Sequence, residues 1–179
     1  MSAAPSPQLA WVDRGARAII RHWLFIVNSM AVLYAVLPWL GPILQNAGYT
    51  RLGRLIFVMY RPLCHQLPER SFFVGTSQVC YCHRCTALYT AIALAGLLYG
   101  ALRWRLPISN RMLGWAALPM LIDGLRHVVS DYVPGLVLRS VADGVGSLNF
   151  WLRIGTGVIF GVAAVLWLHP RMHQTFAEV

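Results

Sequence analysis

The amino-acid sequence predicts an all-α, polytopic membrane protein in which residues 1–179 form one domain. Hydrophobic residues make up 58% of the chain and charged residues only 12%, whereas about a quarter of the residues are charged in typical soluble domains. The apolar residues fall into four runs, each close to the ~20 residues that a helix needs to cross a bilayer. Tryptophan and tyrosine residues cluster near the ends of these runs, as is typical of interfacial anchors.

The four runs predict transmembrane helices at residues 23–44, 86–102, 113–133 and 150–168. Pro38 and Pro42 lie in the last third of the first span, where proline predicts a kink or an early end of the helix. The second and fourth spans are rich in Gly and Ala, small residues that allow close contact between helices. Between the first two spans, the stretch LGRLIFVMY predicts a short interfacial or re-entrant helix over residues 52–60.

Arginine residues flank the spans unevenly and predict the orientation of the protein in the membrane. Arg14, Arg17 and Arg21 precede the first span, and further arginines lie in the 103–112 loop. By the positive-inside rule, both termini and the 103–112 loop are expected in the cytoplasm and the 45–85 loop outside. The N-terminal segment is polar and does not resemble a signal peptide. We therefore expect an uncleaved, multi-pass protein of the inner (cytoplasmic) membrane.

The net charge of +9 comes from arginine residues scattered beside the apolar runs. A protein that binds nucleic acid gathers its basic residues in a patch or stripe, and this sequence shows no such stripe. The charge therefore predicts attraction to the anionic lipid headgroups of a bilayer rather than a nucleic-acid partner.

All four cysteines lie in the segment RPLCHQLPERSFFVGTSQVCYCHRC, directly before the second span. Cys82 and Cys85 form a CxxC motif, and Cys64 and His65 lie upstream of it. A CxxC with a further Cys and His matches a tetrahedral zinc site, although copper or iron would accept the same ligands. We therefore predict a metal site at Cys64, His65, Cys82 and Cys85, with Cys80 as a substitute ligand.

The two halves of this site meet only if the 66–81 loop closes like a hairpin, which Gly75 permits. The N-terminus of the following helix carries a partial positive charge, which favours thiolates. Neighbouring side chains of an extended chain point apart, so Cys64 and His65 share one metal only through a local kink. Two alternatives stay open: a structural disulfide between Cys64 and Cys80, and a redox-active CxxC dithiol.

Five polar residues interrupt the third and fourth spans. Asp123, Arg126 and His127 share one helical face, and Asn149 and Arg153 lie one turn apart at the start of the fourth span. An unpaired charge at the bilayer centre costs at least ~2.5 kcal/mol. We therefore predict that both faces point inward and that Asp123 pairs with Arg126 or Arg153. The set forms either a packing ion pair or a polar pocket for an anionic or quinone-like headgroup.

Several motifs make the chain similar to a known family. CHQLPERSFF at residues 64–73 is followed by CHRCT at residues 82–86, and the patterns PxxxDG and SxNxxxR come later. These motifs resemble a family of small prokaryotic membrane proteins catalogued as domain of unknown function 2085, over about residues 60–161. The resemblance implies that Cys64, His65, Cys82 and Cys85 are the functional residues. It implies no activity, because the family is named for lacking one.

Two functions fit these observations. The first is a structural, accessory or assembly subunit of a larger membrane complex, stabilised by zinc, and the near absence of a soluble domain supports it. The second is a membrane thiol oxidoreductase, in which Cys82 and Cys85 are catalytic and pass electrons to quinone. Against the second, the 134–148 loop carries no second cysteine pair. The sequence therefore leaves open whether the protein is an enzyme.

Overall fold

The computed structural model describes residues 7–102, 107–133, 136 and 142–178, and within these ranges the chain is mainly helical. Arg103 and Arg105 of the predicted cytoplasmic loop lie outside the described residues. In chain order, the elements are α1 (Pro7–Asn46), α2 (Thr50–Met59), a 3₁₀ turn (Pro68–Arg70), β1 (Ser71–Val74), β2 (Ser77–Cys82), α3 (His83–Leu102), α4 (Asn110–Tyr132) and α5 (Leu148–Ala177).

Among the described residues, three helices are long and apolar enough to cross a membrane: α1 over Asp13–Asn46, all of α3 and all of α5. They contain the first, second and fourth predicted spans, which confirms a mainly helical membrane protein. The third predicted span, residues 113–133, lies within α4 except for its last residue. Helix α4 does not reach the same apolarity because Asp123, Arg126 and His127 interrupt its apolar residues. A fourth span, and the interfacial position of α2, stay predictions.

Helix α1 continues through Pro38 and Pro42 to Asn46, so it does not end early at these prolines. Helix α2 then packs against α1. The two backbones approach closely at two glycines, since a Cβ atom on Gly53 would lie 2.6 Å from the Gly41 carbonyl oxygen. A side chain at this contact would force the helices apart, which explains why glycine occupies it.

Helices α3 and α5 form the central pair of the bundle, with α1 packed on α3 and α4 packed on α5. Helix α5 approaches α3 through Gly157 and Gly161. An added Cβ at these positions would lie 2.8 Å from the Arg84 carbonyl oxygen and 2.7 Å from the Leu88 carbonyl oxygen, respectively. This is the close contact expected of small residues in spanning helices. It fixes the start of α3, and with it the CxxC motif, against α5.

The segment between the first two spans closes into a hairpin, as predicted, and the hairpin ends at the CxxC motif. Strands β1 and β2 are antiparallel, with Ser71 opposite Cys82. Gly75 in the turn has a φ of +57°, a left-handed conformation that glycine adopts at little cost. The side-chain amide of Asn46, at the end of α1, donates to the Val74 carbonyl. The hairpin is thereby tied to α1.

Candidate metal centre

Three cysteines from three parts of the chain meet where the hairpin joins α3. Cys64 follows α2, Cys82 ends β2, and Cys85 lies in the first turn of α3. Their Sγ atoms all lie within 4.8 Å of one another. A tetrahedral zinc ion with Zn–S distances of ~2.3 Å holds its sulfurs about 3.8 Å apart. An ion at this site would therefore draw the sulfurs together by at most about 1 Å.

All four cysteines of the chain are free thiols in the structure. The disulfide between Cys64 and Cys80 that the sequence left open is therefore not formed here. The CxxC cysteines are likewise unbonded, so the three sulfurs of Cys64, Cys82 and Cys85 are all available as ligands.

Gln66 turns the Cys64 segment inward. Its backbone has a φ of +52°, a left-handed conformation that bends the chain one residue after His65. Its buried side-chain amide donates to the Phe57 carbonyl at 2.8 Å and to the Cys80 carbonyl at 3.0 Å. These bonds link the end of α2 to β2, so Gln66 holds Cys64 and Cys82 on facing segments.

The hydrogen bonds of the group make Cys82 the proton acceptor among the three thiols. The Cys64 and Cys85 thiols, together with backbone N–H groups at the start of α3, hold the pKa of the Cys82 thiol well below its usual range. The pKa of Cys64 is raised because its thiol bonds to Cys82. The backbone N–H of Cys82 donates to Cys64 Sγ at 3.2 Å. A thiolate at Cys82 is the form that binds metal ions.

His65 and Cys80 lie outside the group, although both were predicted as ligands. His65 is exposed, and its ring nitrogens are not among the ligand atoms that meet within 4.8 Å. His65 lies outside the group because the kink comes at Gln66, after His65, so that Cys64 and His65 still point apart. Cys80 is fully buried against α1, where a Cβ on Gly41 would lie 2.8 Å from its Sγ. Burial raises the pKa of Cys80 to about 11, which keeps it a neutral thiol.

One side of the cysteine group is formed by packed tyrosine rings. Cys64 belongs to a buried cluster that also includes Tyr60 and Tyr81. The Tyr81 ring stacks on the Tyr89 ring with centroids 4.8 Å apart, and the Tyr60 ring meets Tyr81 edge-on at 4.9 Å. The sulfurs are therefore shielded from water on this side, which strengthens their interaction with a bound cation.

His83, inside the CxxC motif, points away from the cysteine group. It is 1% exposed and lies between two aromatic rings, with centroids 4.6 Å from Phe72 and 4.8 Å from Phe150. Phe72 belongs to β1 and Phe150 to α5. His83 therefore packs the hairpin against α5 and is not a ligand of the site.

A chain of buried polar side chains, here called the polar chain, leads away from the CxxC motif. Arg84 lies between Cys82 and Cys85 and forms an ion pair with Asp123 of α4. Asp123 Oδ1 lies 3.8 Å from His127 Nε2, one turn further along α4. The polar chain thus connects the start of α3 to the middle of α4.

The polar chain continues through α5 to the loop before the hairpin. Arg153 Nη2 lies 3.3 Å from His127 Nε2 and donates to Asp143 Oδ1 at 2.8 Å. Asp143 Oδ2 accepts from Arg70 Nε at 3.0 Å, and its Oδ1 also accepts from the Asn149 amide at 2.8 Å. Charges of alternating sign therefore join three helices to the 3₁₀ turn that precedes β1.

The ion pairs of this set differ from the expected pairing of Asp123 with Arg126 or Arg153. Asp123 pairs with Arg84, and Arg153 pairs with Asp143. Asp123, His127, Asn149 and Arg153 are all buried. The side chain of Asp131, in the last turn of α4, lies outside the described part of the chain.

Sequence reasoning did not identify three of the residues that build the site, Gln66, Arg70 and Asp143, and it placed Arg84 beside the thiols without its ion pair to Asp123. Gln66, Arg70 and Arg84 stand in the motifs CHQLPERSFF and CHRCT on which the family resemblance depends. Their positions in those motifs were the available signal. Asp143 stands in no such motif, and only its closeness in space to Arg70 and Arg153 shows its role.

Comparison with known proteins gives a family and a relative without a described function. The family model described as "Predicted membrane protein (DUF2085)" matches residues 64–167, a range that begins at Cys64 and contains the CxxC motif and the whole polar chain. The chain is also similar to the uncharacterized protein MJ1492 of Methanocaldococcus jannaschii, with 26% identity over 159 residues, which cover 84% of this chain and 92% of the relative. No solved structure matches the chain.

Proposed function

Because the chain belongs to the DUF2085 family of predicted membrane proteins, we propose that it is an integral membrane protein that holds one zinc ion on Cys64, Cys82 and Cys85. We further propose that it serves as a structural, accessory or assembly subunit of a larger membrane complex. The observation that carries the metal proposal is the meeting of three free thiols within 4.8 Å at the start of α3.

Several features support a bound cation. Cys64 lies 18 residues before Cys82 in the chain, and the Gln66 bonds and the hairpin bring the two segments together. The positive end of α3 and the N–H bond to Cys64 Sγ both stabilise thiolates. Three thiolates this close repel one another unless a cation lies between them. Zinc suits thiolate ligands in a tetrahedral arrangement.

The exposed apolar faces of the helices support the membrane and subunit parts of the proposal. In α4, Trp115, Leu121 and Leu125 are 71%, 56% and 61% exposed, although the opposite face carries the polar chain. Such a face is stable only against lipid or another apolar protein surface. We therefore propose α4 as a fourth span, with both termini in the cytoplasm, the metal site outside, and the inner membrane as the location.

Metal analysis of the purified full-length protein, together with counting of its free thiols, tests this function. We expect about one zinc ion per chain, lost in Cys64→Ser, Cys82→Ser and Cys85→Ser. His65→Ala and Cys80→Ser are the matched controls, and both should keep the ion because these side chains lie outside the group. A metal-free protein with three reactive thiols would remove the proposal.

A second candidate is a thiol oxidoreductase, favoured by the depressed pKa of Cys82 and by its nearness to two further thiols. In this reaction Cys82 and Cys85 form a disulfide, and two electrons and two protons pass to a quinone, which becomes a quinol. The sequence of the 134–148 loop holds no second cysteine pair to renew the dithiol. Purified protein that lacks metal, and whose CxxC disulfide forms on addition of a soluble quinone, would favour this function over the first.

A further inference from the structure

We infer that the metal site has only three ligands from this chain and leaves one coordination position open to a small external donor. This inference rests on the proposed metal binding and extends it. Structural zinc sites are closed by four protein ligands, whereas sites at which the metal binds or exchanges another molecule have three and an open position. The number of protein ligands therefore shows whether a zinc site is purely structural or can bind an external molecule.

The residues that could close the site have other positions in the fold. Within the described ranges, Cys64, Cys82 and Cys85 form the one group of three or more Cys, His, Asp or Glu side chains whose ligand atoms all lie within 4.8 Å of one another. His65 is exposed, and Cys80 is held in the contact between β2 and α1. The stretches outside the described ranges contain no Cys, His, Asp or Glu in the sequence, and Asp131, whose side chain is not described, is tested by substitution below.

The neighbouring carboxylates and imidazoles have other partners or other surroundings. Asp123 is held by Arg84, and Asp143 is held by Arg70 and Arg153. His83 lies between Phe72 and Phe150, away from the sulfurs. Moving any of these groups onto the metal would break an ion pair or an aromatic contact that the fold has already made.

The surroundings of the three sulfurs determine which molecule can bind. Cys64 is 5% exposed and backed by tyrosine rings, whereas Cys82 and Cys85 are only partly buried. A ligand therefore reaches the ion from the side of the CxxC motif. Soft metal ions bound by thiolates prefer nitrogen or sulfur donors. The structure thus assigns the open position to a small molecule that coordinates through one nitrogen or one sulfur atom, such as an imidazole or a thiol, and displaces solvent.

Cobalt substitution of the full-length protein in detergent tests the inference, because the visible spectrum of cobalt reports its ligands. We expect imidazole and, separately, 2-mercaptoethanol to shift the spectrum saturably, with one molecule bound per metal. X-ray absorption of the zinc form without added ligand should show three sulfurs and one lighter donor. A shell of four sulfurs, or a spectrum that neither probe changes, would overturn the open position.

Matched variants identify any hidden fourth ligand. His65→Ala, Cys80→Ser and Asp131→Asn should each leave the cobalt spectrum unchanged and the cobalt affinity within about twofold. Loss of even an outer-shell partner typically lowers metal affinity by about 10–100-fold, so a true ligand would be obvious. A loss of that size in any one variant shows that the site is closed by that residue. A wild-type protein that binds neither cobalt nor zinc would instead refute the metal site itself, which separates the two failures.

Discussion

Replacing Arg84 by Met tests whether the polar chain holds α3 and α4 together. The side chain of Asp123 is 6% exposed and that of Arg84 is 21% exposed. Without the guanidinium, the Asp123 carboxylate keeps only His127, whose Nε2 is 3.8 Å away. Breaking a buried pair from one side typically costs about 3–5 kcal/mol. Because solvent screens the partly exposed Arg84, we expect Arg84→Met to lower the free energy of unfolding by about 2–3 kcal/mol.

Substitution of the other partner, Asp123, should lower the free energy of unfolding by less. Asp123→Leu leaves the Arg84 guanidinium, which is already partly exposed and can extend its charge towards water. We expect a loss of about 1–2 kcal/mol for this variant. The double variant replaces the pair by two apolar side chains, a change that is often neutral. It should therefore be more stable than Arg84→Met alone, with a coupling free energy of at least ~1 kcal/mol.

Unfolding of the detergent-solubilised protein, followed by circular dichroism, measures these values. Each variant is measured both with zinc and with a chelator. Arg84 lies between two proposed ligands, so the loss of stability caused by a lost metal ion must be separated from the loss caused by the broken ion pair. The control cycle combines Asp123→Leu with Arg126→Leu and should show a coupling below ~0.5 kcal/mol. Additive losses at Arg84 and Asp123, or an equal coupling with Arg126, would refute the assignment of the pair.

Three further predictions concern the topology, the helix contact and the metal. In intact cells, an engineered cysteine at Ser77 should react with an impermeant thiol reagent and one at Ser109 should not; the opposite labelling would invert the proposed orientation. Gly157→Ala should destabilise the protein by about 1–3 kcal/mol, because its Cβ would lie 2.8 Å from a carbonyl oxygen of α3. Gly155→Ala is the control and should be tolerated, since a Cβ at Gly155 would meet nothing within 4 Å. Equal losses of stability in the two variants would contradict this reasoning. Zinc binding contributes on the order of 10 kcal/mol to folding in structural sites, so removal of zinc should speed hydrogen exchange in β1 and β2 more than in α5. Equal exchange rates with and without zinc would argue against a metal that stabilises the hairpin.

The positions of the helices could be predicted because they depend on local composition. An apolar run of about 20 residues specifies a spanning helix whatever its neighbours are, and α1, α3 and α5 contain the runs that were identified. The hairpin could also be predicted from the sequence, because Gly75 marks a turn between two segments that must meet for the cysteines to converge. The weakest of the four runs was the one in α4, where charged residues dilute the apolar signal.

The partners of the buried charges could not be predicted, because they depend on which helices are neighbours. From the sequence, the nearest arginine to Asp123 is Arg126, but the order in which the helices pack brings Arg84 to it instead. Gly124 lies beside this pair, but an added Cβ there would lie 3.5 Å from Arg84 Nη1, an ordinary van der Waals contact, so the pair does not require glycine at this position. The orientation of His65 could not be predicted either, because it depended on whether the kink came before or after this residue. The kink lies at Gln66, after His65.

The CHRC sequence joins the metal centre and the polar chain where β2 passes into α3. Cys82 ends β2 and Cys85 lies in the first turn of α3, with their Sγ atoms within 4.8 Å of each other, whereas Arg84 lies between them in the chain and pairs with Asp123 of α4. A metal ion that fixes the two sulfurs therefore also fixes the direction of the Arg84 side chain. If this is so, the coupling between Arg84 and Asp123 is largest when zinc is bound and falls when the chelator frees the first turn of α3. An equal coupling in both conditions would mean that α5, through Gly157, holds this turn without help from the metal.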